Sequence, residues 1–490
     1  MTGPEEGAQV DGPDRGWGLL LFLLACTGML LAANSRGTFQ DFDDYLYAQV
    51  ARESASVWHP TWHGVPFVHK PPLYFAILAA CTRLFGESPL ALRLPAMLSA
   101  LGCVALVFFL GRRIARSSAG GAGAVGLLVT SSLWFEMSRR ALIDVPLVAV
   151  ALAAGAAPIL VAGRRGIVLS GVAMGLACAL KGSAALPYLV VPGALLAWQL
   201  WRKRDAVGAA LCGAAVALLV LPLFTGGGAE RIRQAAAAHL TGGTPGGLWL
   251  EGPLYYVQVF WGLSAFWTLA ALAALFAAVV FVRRGDVRGP LAMLALGFGA
   301  VPFLVLSALP VKLVHYVAGV PVGLALAAAL PIGALAARSA RGAGLLAFGL
   351  CAAAPVAQLN YVLGDPAFVD PSRAQAALAE VARRRFPTGA RVVVTDAYFL
   401  AFDYHARTLD VKMAVPSAEA FATLDAVAEF HAAKRILRAD REALLGGIER
   451  GALEAVVLSS RAWGDLATAH PGLEAIATEG GLSLVAPRPR

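Results

Sequence analysis

The sequence predicts an all-α polytopic membrane domain followed by a small soluble α/β domain, and three observations carry that prediction. Of the 490 residues, 58% are hydrophobic and only 14% are charged, where soluble domains run near ~45–50% apolar and ~25% charged. One water-soluble core could not hide that much apolar surface, so lipid has to cover much of it. Apolar runs of spanning length then follow one another up to residue 361, with short basic clusters between them. From about residue 365 the pattern changes to amphipathic and β-rich segments.

The apolar runs lie near 17–33, 90–111, 119–136, 146–162, 166–180, 184–200, 206–225, 263–282, 289–307, 313–336 and 342–361. That is about eleven spans, the shorter ones at the low edge of the ~17–25 residues a bilayer needs. The first run follows a polar start with Asp14 and Arg15 and has the look of a signal peptide. No small-residue cleavage site follows it and many further spans do, so it reads as a retained first span.

The net charge of +9 is not one basic patch. It falls in clusters at Arg112, Arg113 and Arg116, at Arg164 and Arg165, at Arg202 to Arg204, at Arg283, Arg284 and Arg288, and at Arg338 and Arg341. With the spans above, all five clusters share one side, which the positive-inside rule makes cytoplasmic. A nucleic-acid partner is therefore not expected. Counting 71–85 as a span would break this agreement, so that run reads as a surface or re-entrant helix. Two long loops, about 34–89 and 226–262, and the C-terminal region then lie outside. The expected division is a membrane domain over 1–362 and a soluble α/β domain over 363–490 on the extracytoplasmic side.

The C-terminal region has amphipathic helix patterns at Pro371–Arg385 and Arg438–Arg450 and β-rich runs at Arg391–Thr395 and Ala455–Ser459. The run Arg391–Asp396 looks like the first strand of a nucleotide-binding fold, but no G-x-G-x-x-G follows, so no nucleotide is expected. The six cysteines lie in or beside apolar runs without C-x-x-C spacing, which argues against a disulfide framework or zinc finger. No internal repeat of the kind many transporters carry is visible.

Several ionisable residues stand out beside the spans. The first outer loop opens with Asp41-Phe42-Asp43-Asp44-Tyr45-Leu46-Tyr47. Such carboxylates bind a cation, act as a base, or are simply solvated, as most surface carboxylates are. His69-Lys70-Pro71-Pro72-Leu73-Tyr74 is a rigid extended stretch leading into an apolar run. Its lysine is either an interfacial anchor or a group aimed at lipid phosphates. Asp144 directly precedes an apolar run, where an ionisable group is a functional hypothesis by default. Lys181-Gly182 ends another run, His239 precedes a glycine-rich stretch and Trp249, and Lys312 and Tyr316 begin a further run. Asp43, Asp44, Lys70, Asp144, Lys181, His239, Lys312 and Tyr316 are all expected at one membrane face. Cations that hold a phosphate and a carboxylate that handles a proton suit a lipid-phosphate-linked substrate.

Over roughly residues 15–330 these motifs resemble the GT-C membrane glycosyltransferases of the protein mannosyltransferase and lipid A aminoarabinose transferase type. Asp43-Asp44-Tyr45-Leu46-Tyr47 followed by Arg52-Glu53 matches the family's first-loop pattern. Lys70 to Tyr74 matches its Lys-Pro-Pro-Leu-Tyr, Arg93-Leu94-Pro95 its Arg-x-Pro, and Leu142 to Pro146 its Leu-x-Asp-x-Pro. Lys181-Gly182 and Lys312, Tyr316 and Pro321 complete the order. Each motif is weak alone; six in order make the signal. The sequence departs from the aminoarabinose transferases at Leu46 and Gly242, where those enzymes carry arginine.

The resemblance implies a GT-C fold of about 11–13 transmembrane helices with juxtamembrane helices at the outer face. It implies Asp43 as the leading catalytic carboxylate and Asp144 as a supporting one. Lys70, Lys181, Lys312 and Tyr316 would bind the donor phosphate, and Asp44, Tyr47 and Tyr74 would contact substrate. His69 and His239 are a candidate pair of ligands for a divalent metal between the two loops, a thin set for any metal site; no other cofactor is expected. The implied reaction is inverting transfer of one sugar from a polyprenyl-phosphate donor to a lipid A-like, glycan or protein acceptor. It would take place at the outer, periplasmic face of a bacterial inner membrane. The rival from another class is a polytopic transporter or flippase, which would bury its ionisable groups in mid-span. Within the transferases the rival is an enzyme that moves a whole glycan.

Overall fold

The computed structural model of the protein describes residues 13–34, 42–54, 59–67, 70–221, 252–285, 289–309, 312–364, 371–395, 400–415 and 435–489. The chain divides into two compact units. One comprises Met1–Ser35, Arg93–Thr241 and Trp249–Val362; the other comprises Arg36–Leu92, Gly242–Leu248 and Leu363–Arg490.

The first unit is helical. Its elements are α1 (Pro13–Asn34), most of α4 (Pro89–Ala115), α5 (Ser118–Val129), α6 (Ser132–Ser138), α7 (Asp144–Leu160), α8 (Gly163–Lys181), α9 (Leu186–Lys203) and α10 (Ala206–Val220). After these come α11 (Tyr255–Arg284), α12 (Pro290–Ala308), α13 (Val320–Arg338) and α14 (Ala340–Gly364). Over their described residues the eleven apolar runs fall on these helices, with 119–136 divided between α5 and α6 and the start of 313–336 in the turn before α13. Among the described residues six helical stretches are long and apolar enough to cross a membrane, or seven if the bent pair α5–α6 is one span. One of the six, Gly163–Lys203, joins α8 and α9 through a 3-10 turn at Gly182–Ala185. Forty-one residues make about 61 Å of helix, twice the ~30 Å hydrocarbon thickness. The 17-residue α7 packs against both α8 and α9, so the two are separate passes. The protein is a multi-pass membrane protein.

Small residues set how closely these helices approach. A Cβ at Gly323 of α13 would lie 2.1 Å from the amide nitrogen of Gly299 on α12, and one at Gly121 of α5 would lie 2.6 Å from the carbonyl oxygen of Phe108 on α4. Backbone meets backbone at both points, as membrane helices allow when neither side carries a side chain.

Between α5 and α6 the chain bends by 75°. A break inside lipid exposes backbone carbonyls that need donors. Here Trp267 Nε1 donates to Leu127 O at 2.8 Å and Gln358 Nε2 to Val129 O at 2.6 Å, while Thr130 Oγ1 donates to Gly126 O at 3.0 Å. Side chains from α11 and α14 thus satisfy the frayed end of α5 and fix where the segment leading to Asp144 begins. In α11 a single non-helical residue, Ser264 (φ −168°, ψ 97°), breaks the 30-residue helix.

The second unit joins the first long loop to the C-terminal region. The loop forms α2 (Phe42–Glu53), a hairpin of β1 (Thr61–Trp62) and β2 (Val65–Pro66), and α3 (Leu73–Phe85). Its thirteen residues give α3 a length of about 20 Å, too short to span. One face of α3 buries Tyr74, Phe75, Leu78 and Ala79, while Leu84 and Phe85 are exposed. The run 71–85, expected as a surface or re-entrant helix, is thus a short helix with one buried face.

The C-terminal region is a six-stranded sheet in the order β5-β4-β3-β6-β8-β7. Its strands are β3 (Arg391–Val394), β4 (Asp410–Val415), β5 (Ile436–Arg438), β6 (Ala455–Ser459), β7 (Leu473–Glu479) and β8 (Leu482–Pro487), the first four parallel and the last two antiparallel. Helices α15 (Pro371–Arg385), α16 (Leu400–Ala406), α17 (Arg441–Glu449) and α18 (Ser460–Leu466) alternate with the strands. The core joins Val393, Ala414, Val456, Leu458 and Val485 of the sheet to Leu444, Leu445 and Ile448 of α17.

The close approach at Gly323 gives a direct test. Gly323→Val should destabilise the folded protein at the top of the ~1–3 kcal/mol range for overpacking, because the obstacle is backbone that cannot rotate away. A thermal-unfolding midpoint in detergent equal to that of the parent protein would contradict this packing.

Candidate active site

The sequence-predicted residues fall into the two units, and each group has its own geometry. In the membrane unit, Asp144 is the first residue of α7 and Lys181 the last residue of α8. A carboxylate at a helix N-terminus and an ammonium at a helix C-terminus are both favoured by the backbone dipoles. The antiparallel α7 and α8 bring these two ends together, and Lys181 Nζ lies 2.5 Å from Asp144 Oδ1. Both side chains are about 4% exposed. Near the other end of this nineteen-residue helix, about 25 Å away, stand Arg164 and Arg165. The ion pair and the basic cluster therefore occupy opposite ends of one helix.

Gly182 explains why Lys is followed by Gly. It ends α8 at φ +61° and ψ −138°, a conformation for glycine alone, so the chain turns away directly after the lysine.

The Lys181 ammonium also lies 4.7 Å from the centre of the Tyr316 ring, a cation–π arrangement. Tyr316 sits in a 3-10 turn, Val314–Val317, just before α13. Its carbonyl accepts a 2.5 Å hydrogen bond from the Tyr188 hydroxyl, and that hydroxyl accepts from the Gly319 amide at 3.2 Å. Lys312 is buried and its ammonium donates to Leu309 O at 2.5 Å. Asp144, Lys181 and Tyr316 thus make one contiguous group, with Lys312 four residues upstream on the same chain segment.

Two neighbours do not stand out in the sequence. Glu136 of α6 is buried and accepts from Arg139 Nε at 2.7 Å and Arg140 Nε at 2.6 Å. This cluster secures the short stretch between α6 and Asp144. Tyr188 is the other, and its position inside an apolar run hides its polar role. The Arg139-Arg140 pair is visible in the sequence, but its acidic partner lies inside the run 119–136.

In the second unit, α2 carries Asp43 and Asp44 in its first turn, where the helix dipole favours them. Asp43 is half-buried and Asp44 fully buried. The Tyr47 ring packs edge-on against Tyr74, at 6.0 Å between centroids, and against Phe75 at 5.4 Å. Tyr47 and Tyr74, two of the expected substrate-contacting residues, are therefore brought together, and both are buried. Lys70 is half-buried, three residues ahead of α3. His69 and His239, the candidate metal pair, lie outside the described residues. Among the described residues no group of three or more His, Cys, Asp or Glu is placed to hold a metal ion.

Known proteins share this fold. Residues 69–225 match the family profile of dolichyl-phosphate-mannose-protein mannosyltransferases. That stretch contains Lys70, Tyr74, Asp144 and Lys181. The fold matches that of ArnT from Cupriavidus metallidurans bound to undecaprenyl phosphate, with a TM-score of 0.72 and 15% identity, over 96% of this chain and 99% of that one. The apo state of the same ArnT matches with a TM-score of 0.70 and 16% identity, over 98% of this chain and all of the other. No curated protein matches the chain by sequence. The GT-C resemblance read from the motifs is thus met by a family match in sequence and by a fold shared along nearly the whole chain.

The ion pair should behave as a unit. Asp144→Asn and Lys181→Met should each cost about 3–5 kcal/mol, since each leaves a buried charge without its partner. The double variant should recover a large part of that loss. Strict additivity in thermal unfolding of the three purified variants would show that the two side chains do not interact.

Proposed function

We propose that the protein is a membrane glycosyltransferase that moves a single sugar from a polyprenyl-phosphate donor to an acceptor at the extracytoplasmic face of the membrane. The observation that carries this reading is the meeting of Asp144, Lys181 and Tyr316. Three separate motif-bearing stretches converge on one buried group, two of them inside the segment that matches the mannosyltransferase family. The ArnT structure that shares this fold was solved with undecaprenyl phosphate, which supports a lipid-phosphate carrier here.

In this reading the acceptor oxygen attacks the anomeric carbon of the sugar, and the bond from that carbon to the phosphate oxygen breaks. The departing polyprenyl phosphate takes the bond pair, and configuration at carbon inverts. Cations aimed at the phosphate stabilise the charge that develops there. Lys70, Lys181 and Lys312 are the assigned cations, with Tyr316 beside Lys181. Asp144 neutralises the Lys181 ammonium and aims it. Where the acceptor is a hydroxyl, its proton passes to the Asp43 carboxylate, with Asp44, Tyr47 and Tyr74 shaping the acceptor side. The acceptor is of the lipid A, glycan or protein class. The basic clusters at the opposite helix ends support a site on the periplasmic face of a bacterial inner membrane.

The test is transfer in proteoliposomes with a panel of labelled polyprenyl-phosphate sugars and membrane acceptors. The parent protein should transfer one sugar, and Asp43→Asn should lower turnover by roughly 10²–10⁴-fold, the usual contribution of a positioned base. Its unfolding midpoint should be unchanged. Full activity in that variant would remove Asp43 from the chemistry. No transfer across the panel, with uptake of a small solute instead, would replace the enzyme by a transporter.

A further inference from the structure

The C-terminal region takes no part in the chemistry above, yet it grips the helix that carries Asp43. Tyr45 and Arg52 are seven residues apart on α2, two turns along one face, and both meet the short helix α16. The Tyr45 ring lies 5.7 Å from that of Tyr404 and 5.9 Å from that of His405. The Arg52 guanidinium stacks on Tyr404 at 3.7 Å and donates to the Tyr404 carbonyl at 2.9 Å. Arg52 is also ion-paired with Glu87, which accepts from Arg407 at 3.1 Å and from the Tyr404 hydroxyl at 3.4 Å. Burial raises the Tyr404 phenol above its ordinary range, so the hydroxyl keeps the proton it donates.

A second point of attachment lies on the β1–β2 hairpin that follows α2. His63 and Gly64 form its two-residue turn at φ +50° and φ +74°, the left-handed pair that such turns require. The turn presents His63 to the C-terminal sheet. Its Nε2 is 2.6 Å from Asp403 Oδ2, and its Nδ1 is 2.8 Å from a guanidinium nitrogen of Arg435. Arginine only donates, so Nδ1 is the acceptor and the ring proton sits on Nε2, donated to Asp403. Arg435 is held in turn by Asp410 at 2.8 Å and by the Val411 carbonyl at 2.7 Å. Each polar atom of the imidazole is therefore used, and Asp403 is only 4% exposed.

We propose that the C-terminal domain is the positioning frame of α2, fixing the rotation of the helix that bears Asp43 through Tyr45, Arg52 and His63. On a helix, Asp43 and Tyr47 share one face, and Tyr45 and Arg52 lie on nearly the opposite one. Tyr47 is packed against α3, so the helix is held from two sides and cannot turn about its axis. The residues of this frame are positioning residues; none is assigned contact with the reacting atoms. The inference rests on the reading of Asp43 as the catalytic carboxylate.

Hydrogen exchange and kinetics on the full-length protein test it together. Asp403→Asn and Tyr404→Ala should speed amide exchange across residues 42–53 by about tenfold or more, the scale of one lost charge-assisted hydrogen bond. Exchange in 144–181 should be unchanged. The same variants should lower kcat by a similar factor with the donor KM unaltered, and His63→Asn, which tolerates the left-handed turn, should retain more activity than His63→Ala. Unchanged exchange in 42–53 overturns the frame. Faster exchange with parental kcat also overturns it, leaving the contacts as fastening only. If the parent protein transfers no sugar, the glycosyltransferase reading fails on its own, and the exchange measurement alone decides the frame.

Discussion

A lysine and an aspartate buried in a membrane protein impose a constraint that most of the first unit is built to meet. Neither charge is tolerable alone in a medium of low polarity, so Asp144 and Lys181 must be brought together and kept together. The antiparallel pairing of α7 and α8 does the first, with each charge at the helix end whose dipole favours it. The rest does the second. Gly182 turns the chain at once beyond the lysine, Tyr188 ties Tyr316 and Gly319 into the same neighbourhood, and Glu136 with its two arginines secures the approach to Asp144. Trp267 and Gln358 hold the bend from which that approach departs.

The second unit answers a different requirement. A short helix has little apolar surface of its own to bury, and twelve residues are too few for a helix to be stable in isolation. Helix α2 gains its stability from α3 on one side and from α16 on the other. The two contacts differ in kind. The first is aromatic, whereas the second adds to its ring contacts the Arg52 guanidinium, stacked on Tyr404 and bonded to its carbonyl.

Much of this is legible in the sequence. The spans are readable because a bilayer demands long apolar runs, and the sidedness of the basic clusters because that bias survives in the primary sequence. That 71–85 is no full span follows from the placing of the charges, and Leu73–Phe85 is a thirteen-residue helix. The motif order points to Asp144, Lys181 and Tyr316 without any geometry. What is not legible depends on pairing. Lys181 reads as a lone cation, and only the α7–α8 hairpin shows it bound to Asp144. In the C-terminal region, Ile436–Arg438 forms a strand where the amphipathic pattern suggests a helix from Arg438, because the helix waits for the Asp440 cap. The β7–β8 hairpin carries a readable signal in Gly480-Gly481, both at positive φ. His63, Asp403 and Arg435 are far apart in sequence and belong to no motif, so nothing in the sequence links them.

The break at Ser264 has a consequence for how the protein sits in lipid. The residues beyond it, 265–284, make about 30 Å of helix, the thickness of a typical hydrocarbon core. The nine residues before it, Tyr255 to Leu263, add about 14 Å more and include Tyr255, Tyr256 and Trp261. Aromatic residues of this kind settle at the headgroup level. The Tyr256 hydroxyl donates to Leu313 O at 3.3 Å, next to Lys312. The stretch before the break is therefore fastened through Tyr256 to the segment that carries Lys312, so whatever depth its aromatic residues settle at is shared by that segment.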